Sequence, residues 1–145
     1  MKPYILYICI MLYSFSSTAQ EDKAAVERTC LDYIEGFYEG DTIKLIKSLK
    51  PGLHKFGYWK DKSTGEYNPD GSMTWRQALD YATKVQQKKA FAKPDAPKKV
   101  VVLDIGSTIA AAKVTAMWGI DYLLLSRQNG KWMIEQVLWE GPLPF

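Results

Sequence analysis

The fold of this chain is decided by residues 100–139, which read VVVLDIGSTIAAAKVTAMWGIDYLLLSRQNGKWMIEQVLW. Four runs rich in Val, Ile, Leu and aromatic residues lie in this segment, and such runs are typical of β-strands. The dipeptides Gly106-Ser107 and Asn129-Gly130 predict two-residue hairpin turns, because Gly and Asn tolerate the positive φ that these turns require. The segment therefore predicts an antiparallel meander of four strands over residues 100–105, 108–116, 121–128 and 131–139.

Three helical patterns precede the meander. Apolar residues recur every three or four positions from residue 22 onward, which predicts a long first helix that ends near Gly40. Asp41 follows as the N-cap of a short second helix. Thr74 stands three residues before Gln77, a spacing that predicts a capping box at the start of a third helix.

A short aromatic segment separates the second and third helices. Residues 53–60 read LHKFGYWK, and the polar residues 61–65 connect them to a return near Glu66-Tyr67, so we interpret this region as a small peripheral hairpin. Helices first and an antiparallel sheet last predict the α+β class, because parallel sheets need alternating strands and helices. We expect the three helices to pack on one face of the sheet.

The N-terminus has the pattern of a secretory signal peptide. Lys2 is charged, residues 4–13 form an apolar run, and residues 17–19 are small, as a signal peptidase requires. The run is about half of the roughly 20 residues that cross a membrane, so we expect no stable membrane insertion. We predict cleavage after Ala19, a periplasmic or extracellular location, and a single domain over residues 20–145.

Composition and charge exclude several classes of function. The chain has 145 residues, 47% hydrophobic and 24% charged, which is typical of one globular domain. Its formal charge of +3 is small and dispersed, and no nucleotide, phosphate or nucleic-acid motif is present. Beyond the signal peptide Cys30 is the only cysteine, so no internal disulfide is expected, and we interpret it as a buried hydrophobic residue.

Two parts of the sequence resemble a known family. Residues 33–41 (YIEGFYEGD) and the ending formed by residues 121–123 (DYL), 129–134 (NGKWMI) and 137–139 (VLW) are similar to the exported lumazine-binding branch of the nuclear transport factor 2-like superfamily. The resemblance implies a cone-shaped, cystatin-like α+β fold whose curved sheet wraps around the first helix. It also implies a heterocyclic ligand. The segment 50–53 (KPGL) departs from the His-Pro pair often found there, and Glu135-Gln136 replaces a commonly apolar residue and Asn.

The same resemblance implies where catalytic groups would lie. Ketosteroid isomerase, polyketide cyclases and scytalone dehydratase are similar in fold and work inside the cone with carboxylates, histidines and tyrosines. The candidates in this chain are Tyr33, Asp121 and Glu135. We interpret Asp121 as a solvated turn or cap residue at a strand edge.

Glu135 lies in the middle of a strand. Pairing through the Asn129-Gly130 turn places it opposite Leu124. It then shares one face of the sheet with Tyr122, Met133, Val137 and Trp139. If that face is inward, burial raises the pKa of Glu135 and makes it a candidate base. The alternative is that the face meets water, since the other face has the better core residues: Trp132, Ile134, Leu138, Leu123 and Leu125.

Aromatic residues supply the candidate ligand-binding positions. Tyr33 and Phe37 lie one turn apart on the first helix, which in this fold faces the cone, and Trp75 is expected at its mouth. Tyr58 and Tyr122 complete the predicted set, although an aromatic stripe is also typical of a plain core. His54 is the only histidine, so we expect neither a two-histidine metal site nor a cofactor.

Three functional hypotheses remain open at this point. The first is an exported protein that binds a small hydrophobic or aromatic ligand without turnover. The second is an isomerase, cyclase or dehydratase that uses Glu135 or Asp121 together with Tyr33. The third is a homodimeric interaction module, in which the outer face of the sheet is covered by a second copy. The residues predicted on that face are Met133, Val137, Trp139 and Tyr122.

Overall fold

Within residues 4–143, six strands form one sheet, and three helices pack against one of its faces. The computed structural model describes the backbone of residues 4–143 and the side chains of residues 19–143. The side chains of residues 1–18, which include most of the predicted signal peptide, lie outside the described residues. The elements in chain order are α1 (Tyr4–Glu39), α2 (Thr42–Ser48), β1 (Leu49–Lys60), β2 (Tyr67–Met73), α3 (Trp75–Lys88), β3 (Lys98–Ile105), β4 (Ile109–Ala116), β5 (Gly119–Gln128) and β6 (Lys131–Gly141).

The predicted α+β class is confirmed, and the strand count is corrected. Strands β3 to β6 form the antiparallel meander, but the sheet has six strands in the order β2-β1-β6-β5-β4-β3. Strand β1 pairs in parallel with β6, from His54 opposite Gln136 to Trp59 opposite Gly141. The hairpin of β1 and β2 therefore extends the sheet. Local sequence patterns did not predict this pairing, because it joins segments far apart in the chain.

The predicted helix caps are present. The Asp41 carboxylate accepts hydrogen bonds from the backbone N–H groups of Ile43 and Lys44 at the start of α2. Thr74 and Gln77 form the reciprocal capping box that begins α3. These side chains satisfy backbone donors that a helix leaves unpaired at its N-terminus. Helix α1 continues without a break back to Tyr4, well before the predicted start at residue 22.

The core lies between α1 and the inner face of the sheet. Val26, Cys30, Tyr33 and Ile34 project from α1 and are fully buried. Cys30 is buried as expected, and burial raises the pKa of its thiol to about 12, which keeps it protonated and unreactive. In the described part of the chain, no helix is long and apolar enough to span a membrane.

A β-bulge in β6 decides which of its residues face the core. Leu124 pairs with Gln136 and Leu125 pairs with Ile134, so Glu135 is an extra residue without a partner on β5. Successive side chains on a strand alternate between faces, and one inserted residue reverses the alternation beyond it.

The bulge overturns part of the predicted outer face. Val137 is fully buried and Trp139 packs against the core, whereas Leu138 is exposed. The prediction that Val137 and Trp139 lie on the outer face was therefore wrong, as was the assignment of Leu138 to the core. Tyr122 lies on β5 opposite Leu138 and is exposed, as predicted.

Candidate functional site

A cavity of about 230 Å³ opens beside the inner face of the sheet. Its wall is contributed by α1, α3, strands β1, β2 and β6, and the connection between β4 and β5. Phe37 makes edge-on contacts with the rings of Tyr81 and Trp118, with centroid distances of 5.7 and 5.6 Å. The apolar part of the wall consists of Phe37, Trp59, Met73, Tyr81, Trp118 and Trp139. Among the residues whose side chains are described, Lys55 and Asp70 add charged groups to the lining.

A buried polar cluster, which we call the Lys55 centre, lies against this cavity and consists of Lys55, Tyr33, Asp121 and Trp118. The Lys55 ammonium donates to the Tyr33 hydroxyl at 2.8 Å and lies 3.6 Å from Oδ2 of Asp121. The Tyr33 hydroxyl donates to the same Oδ2 at 2.5 Å. The Trp118 indole N–H donates to Oδ1 at 2.8 Å. Both oxygens of the Asp121 carboxylate are therefore satisfied inside the protein.

Burial controls the electrostatics of the Lys55 centre. Burial lowers the pKa of Lys55, and the nearby Asp121 carboxylate opposes that change. Burial and the Asp121 charge raise the pKa of Tyr33 well above its ordinary value, so Tyr33 acts as a neutral hydroxyl donor. Lys55 and Asp121 together form a neutral pair, which is how a folded chain tolerates buried charge.

Three aromatic rings surround the Lys55 ammonium. Its Nζ lies 5.5 Å from the ring centroid of Tyr33, 5.9 Å from that of Trp118 and 5.5 Å from that of Trp139. Such distances allow cation-π attraction, which is stronger where water is excluded. An ammonium has three N–H donors. Tyr33 and Asp121 are the polar partners of Lys55 in the described part of the chain, so one donor is available to a molecule in the cavity.

Strand β1 places Lys55 on the inner face. Leu53, Lys55, Gly57 and Trp59 alternate along the strand, and the buried Leu53 fixes which face is inward. A Cβ atom at Gly57 would lie 2.5 Å from Cγ of Trp139. Because Gly57 has no side chain, the Trp139 indole packs across β1 and reaches the cavity wall.

The predicted ligand-binding residues are divided between different surroundings. Tyr33 belongs to the Lys55 centre, and Phe37 lines the cavity. Trp75 is partly buried against the core, outside the cavity lining, and its indole N–H has no hydrogen-bond partner in the described part of the chain. Tyr58 and Tyr122 are exposed, and neither belongs to the cavity lining.

The two candidate carboxylates lie in different surroundings, and only the interpretation of Asp121 is contradicted. Asp121 is fully buried, so its interpretation as a solvated strand-edge residue was wrong. Its place in the alternation with the buried Leu123 and Leu125 is the signal that could have predicted this. Glu135 is partly exposed, accepts hydrogen bonds from Lys50 and Ser126, and lies outside the cavity lining. Those two hydrogen bonds lower the pKa of Glu135 and favour its charged form.

Sequence reasoning missed Lys55 and left Trp118 out of the predicted ligand-binding set. The alternation of Lys55 with Leu53 and Trp59 was available, but a strand lysine is ordinarily solvent-exposed. Trp118 lies in the connection between β4 and β5, where periodicity gives no guidance. Within the described residues, no group of three or more His, Cys, Asp or Glu side chains is arranged to hold a metal ion.

Comparison with solved structures shows the fold. A nuclear transport factor 2-like protein of unknown function from Silicibacter pomeroyi is 16% identical, with a TM-score of 0.62, over 83% of this chain and 96% of that one. A "putative scytalone dehydratase" from Novosphingobium aromaticivorans is 14% identical, with a TM-score of 0.59, over 86% of each chain. A hexachlorocyclohexane dehydrochlorinase is 11% identical, with a TM-score of 0.51, over 83% of this chain and 85% of that one.

Comparison of sequences identifies the family. Curated protein sequences gave no significant match. The family described as "Putative lumazine-binding" matches residues 21–140. This range covers the second half of α1 and all later elements except the last residue of β6. Together with the fold of the solved relatives, this match agrees with the resemblance seen in residues 33–41 and at the end of the chain. The chain is a member of the family described as "Putative lumazine-binding", and it has the fold of nuclear transport factor 2-like proteins.

Proposed function

We propose that this ligand-binding domain takes up a small, flat aromatic or heterocyclic molecule whose acceptor atom receives a hydrogen bond from Lys55. The observation that carries this proposal is the buried Lys55 ammonium, which is held by Tyr33 and Asp121 beside an aromatic-walled cavity. A polar donor inside an apolar pocket gains most from a ligand that satisfies it, because the alternative is an unpaired buried group.

The size and walls of the cavity restrict the ligand. Pockets for drug-sized molecules hold roughly 300–1,000 Å³, and this cavity of about 230 Å³ suits one or two rings. Trp118 and Trp139 offer flat faces for stacking, and the exposed Asp70 carboxylate can accept an N–H from the ligand. Lumazine, named in the family description, is a bicyclic heterocycle with both carbonyl acceptors and N–H donors, and it is a suitable probe.

Native mass spectrometry of the protein purified from its own host tests the proposal without assuming a ligand. We expect a stoichiometric adduct that is released on denaturation and identified as a cyclic compound with an acceptor oxygen or nitrogen. A protein that carries only acyclic or fully apolar compounds would contradict the role given to Lys55.

Titration with lumazine tests the site itself. Tryptophan fluorescence reports on the cavity, because Trp59, Trp118 and Trp139 line it. We expect Lys55→Met to weaken binding by about tenfold or more, corresponding to about 1.4 kcal/mol, because a charged hydrogen bond is lost. Lys50→Met is the matched control, since Lys50 lies on the same strand but pairs with Glu135 outside the cavity. Equal binding by both variants would contradict the proposal.

An enzymatic role is the second candidate, and the grouping of Lys55, Tyr33 and Asp121 beside the cavity favours it. Two structural relatives carry the names of a dehydratase and a dehydrochlorinase, which are enzymes that remove a group from carbon. A lysine with a lowered pKa is suited to accept a proton from carbon. Incubation of the native ligand in D₂O tests this: deuterium incorporation that Lys55→Met abolishes would favour catalysis, and its absence would favour binding alone.

We also infer export, with cleavage after Ala19. The sequence supports it through Lys2, the apolar run of residues 4–13 and the small residues 17–19. Asp22 already receives hydrogen bonds from Arg127 and Trp132. Mass spectrometry of the protein from the host envelope or medium is expected to show a chain that begins at Gln20, and an uncleaved cytoplasmic chain would contradict this inference.

Homodimer formation remains part of the proposal, through a patch that the bulge has redefined. The exposed apolar residues on the outer face of the sheet include Val101, Leu103, Ile109, Tyr122, Leu124 and Leu138. A patch of this kind is typical of an interface. Sedimentation analysis is expected to give a dimer that Leu124→Glu dissociates, and a monomeric wild-type protein would remove this part of the proposal.

A further inference from the structure

Lys55 combines features that a carbonyl-binding amine requires. It is a primary amine whose side chain is only 9% exposed, and it lines an apolar cavity that admits a small molecule. It has a carboxylate within 3.6 Å and a hydroxyl at 2.8 Å. We propose that Lys55 forms a reversible imine with the carbonyl carbon of a small aromatic aldehyde or ketone bound in the cavity. This inference rests on the proposed function, because it uses the same cavity and the same lysine.

The neighbours of Lys55 allow the amine to become a nucleophile. An ammonium has no lone pair, so one proton must leave before nitrogen attacks carbon. The Asp121 carboxylate is the proton acceptor within 3.6 Å. Burial lowers the pKa of Lys55, which increases the fraction of neutral amine by about tenfold for each unit of lowering.

The reaction balances without a further reagent. The Lys55 nitrogen forms a bond to the carbonyl carbon, and the carbonyl oxygen takes up a proton to give a carbinolamine. The carbon-oxygen bond then breaks, and the oxygen leaves as water with two protons that the ammonium carried at the start. The products are one protonated imine and one water, so the charge of +1 on nitrogen is kept.

The site stabilises the product as well as the amine. A protonated imine retains one N–H and its positive charge, so it keeps the attraction of Asp121 and of the Tyr33, Trp118 and Trp139 rings that surround Nζ. The apolar wall limits the access of water, which slows hydrolysis of the imine. An aromatic carbonyl compound adds stacking on the same wall.

Lys50 provides an internal comparison. It lies on the same strand, five residues earlier, and forms a 2.7 Å ion pair with Glu135 outside the cavity lining. It therefore has the same chemistry as Lys55 but does not line the cavity in which the carbonyl compound is held. A general reactivity of lysines toward aldehydes would modify both residues.

Reductive trapping tests the inference. The purified protein is incubated at pH 7 with benzaldehyde and sodium cyanoborohydride, which reduces only the imine, and the benzyl group is located by peptide mass mapping. We expect Lys55 to be modified at least about tenfold faster than Lys50 or the exposed lysines, with a rate that saturates with benzaldehyde. Lys55→Arg keeps the positive charge and is expected to remove the fast modification. Uniform slow modification of all lysines in the wild-type protein would overturn the inference.

A second measurement separates this inference from the proposed function. Benzyl alcohol has the same ring and an acceptor oxygen but no carbonyl carbon, and its binding is measured by saturation-transfer NMR. If benzyl alcohol binds and benzaldehyde is not trapped at Lys55, the imine inference fails while the binding proposal stands. If neither benzyl alcohol nor lumazine binds, the proposed function itself fails, and any labelling of Lys55 is then nonspecific.

Discussion

Two lysine-carboxylate pairs connect β1 to other strands of the sheet, and their surroundings differ. Lys50 and Glu135 approach to 2.7 Å, with side chains that are 17% and 44% exposed. Lys55 and Asp121 are 3.6 Å apart, with side chains that are 9% and 0% exposed. Loss of one partner costs more stability in the Lys55–Asp121 pair than in the Lys50–Glu135 pair, because a buried charge depends on its partner far more than an exposed charge does.

The comparison also explains where function lies on this sheet. Glu135 lies on the outer face because it alternates with the buried Trp132 and Ile134, and water can replace its partner at little cost. Asp121 is held by Tyr33 and Trp118 beside an aromatic cavity, where water has no access to its carboxylate. The inner pair therefore supplies a fixed, polar attachment point for a ligand, and the outer pair joins two strands.

The largest expected effect is that of Asp121→Asn. This change leaves the buried Lys55 ammonium without a compensating charge, and removing one partner of a buried pair costs about 3–5 kcal/mol. Urea denaturation is expected to show that loss in the free energy of unfolding. A loss below about 1 kcal/mol, as for an exposed pair, would mean that water reaches the Lys55 centre in solution.

Tyr33→Phe is expected to have the next largest effect. It removes the hydroxyl that links Lys55 to Asp121 while it keeps the ring that packs on Phe37 and Trp118. Because two buried groups each lose a partner, we expect unfolding to become easier by about 1–3 kcal/mol. Thermal and urea denaturation measure the change. Unchanged stability would argue that the hydroxyl bridge does not form.

The exposure of a third carboxylate, Glu35, lies between that of Asp121 and that of Glu135. Burial alone raises its pKa, but hydrogen bonds from Lys44, Lys98 and Arg28 outweigh burial and lower the pKa to about 2. The folded protein thus binds this proton less readily than the unfolded chain, whose ordinary Glu pKa is 4.5. The resulting stability is present above the ordinary value and is lost as the pH falls toward about 2.

Glu35→Gln measures that contribution. At pH 7 the variant is expected to be less stable than the wild-type protein by about 1 kcal/mol, since Arg28 and Lys98 are partly exposed and solvent screens the attraction. The difference should shrink as the pH falls below 4.5 and vanish near pH 2. A difference that does not depend on pH would assign the effect to packing.

The smallest effect is expected for Glu135→Gln, which is the matched control for Asp121→Asn. Both changes replace a carboxylate by an amide opposite a lysine of β1, but Glu135 is partly exposed. We expect a change within about 1 kcal/mol in the same urea measurement. A loss as large as that of Asp121→Asn would contradict the contrast between the two pairs.

Local chemistry explains what could be predicted from the sequence. The capping box of Thr74 and Gln77 and the Asp41 cap depend on neighbours within three residues, so the pattern alone specified the starts of α2 and α3. Asn129 and Gly130 have positive φ, as the predicted turn between the last two strands requires. The last hairpin of the meander followed from this local signal, whereas the predicted two-residue turn at Gly106-Ser107 was wrong, because three residues connect Ile105 to Ile109.

The site could not be predicted so fully, because it depends on a β-bulge and on strand pairing between segments far apart in the sequence. A single extra residue at Glu135 reversed the faces of Val137 and Trp139, and no residue type in the sequence marks that bulge. The parallel pairing of β1 with β6 places Lys55 beside β6, where it meets Tyr33 and Asp121. Periodicity could have shown Asp121 and Lys55 to be inward, but it could not show that each is the other's partner.

The most direct test of this account is the pKa of the Lys55 side chain, measured by NMR from ¹³Cε chemical shifts over a pH series and assigned with Lys55→Met. The account predicts a pKa below the ordinary value of 10.5, because burial outweighs the attraction of Asp121. Asp121→Asn is expected to lower the pKa further, since the opposing charge is removed. A Lys55 that titrates at its ordinary value in both proteins would contradict a buried amine at the cavity and the functions built on it.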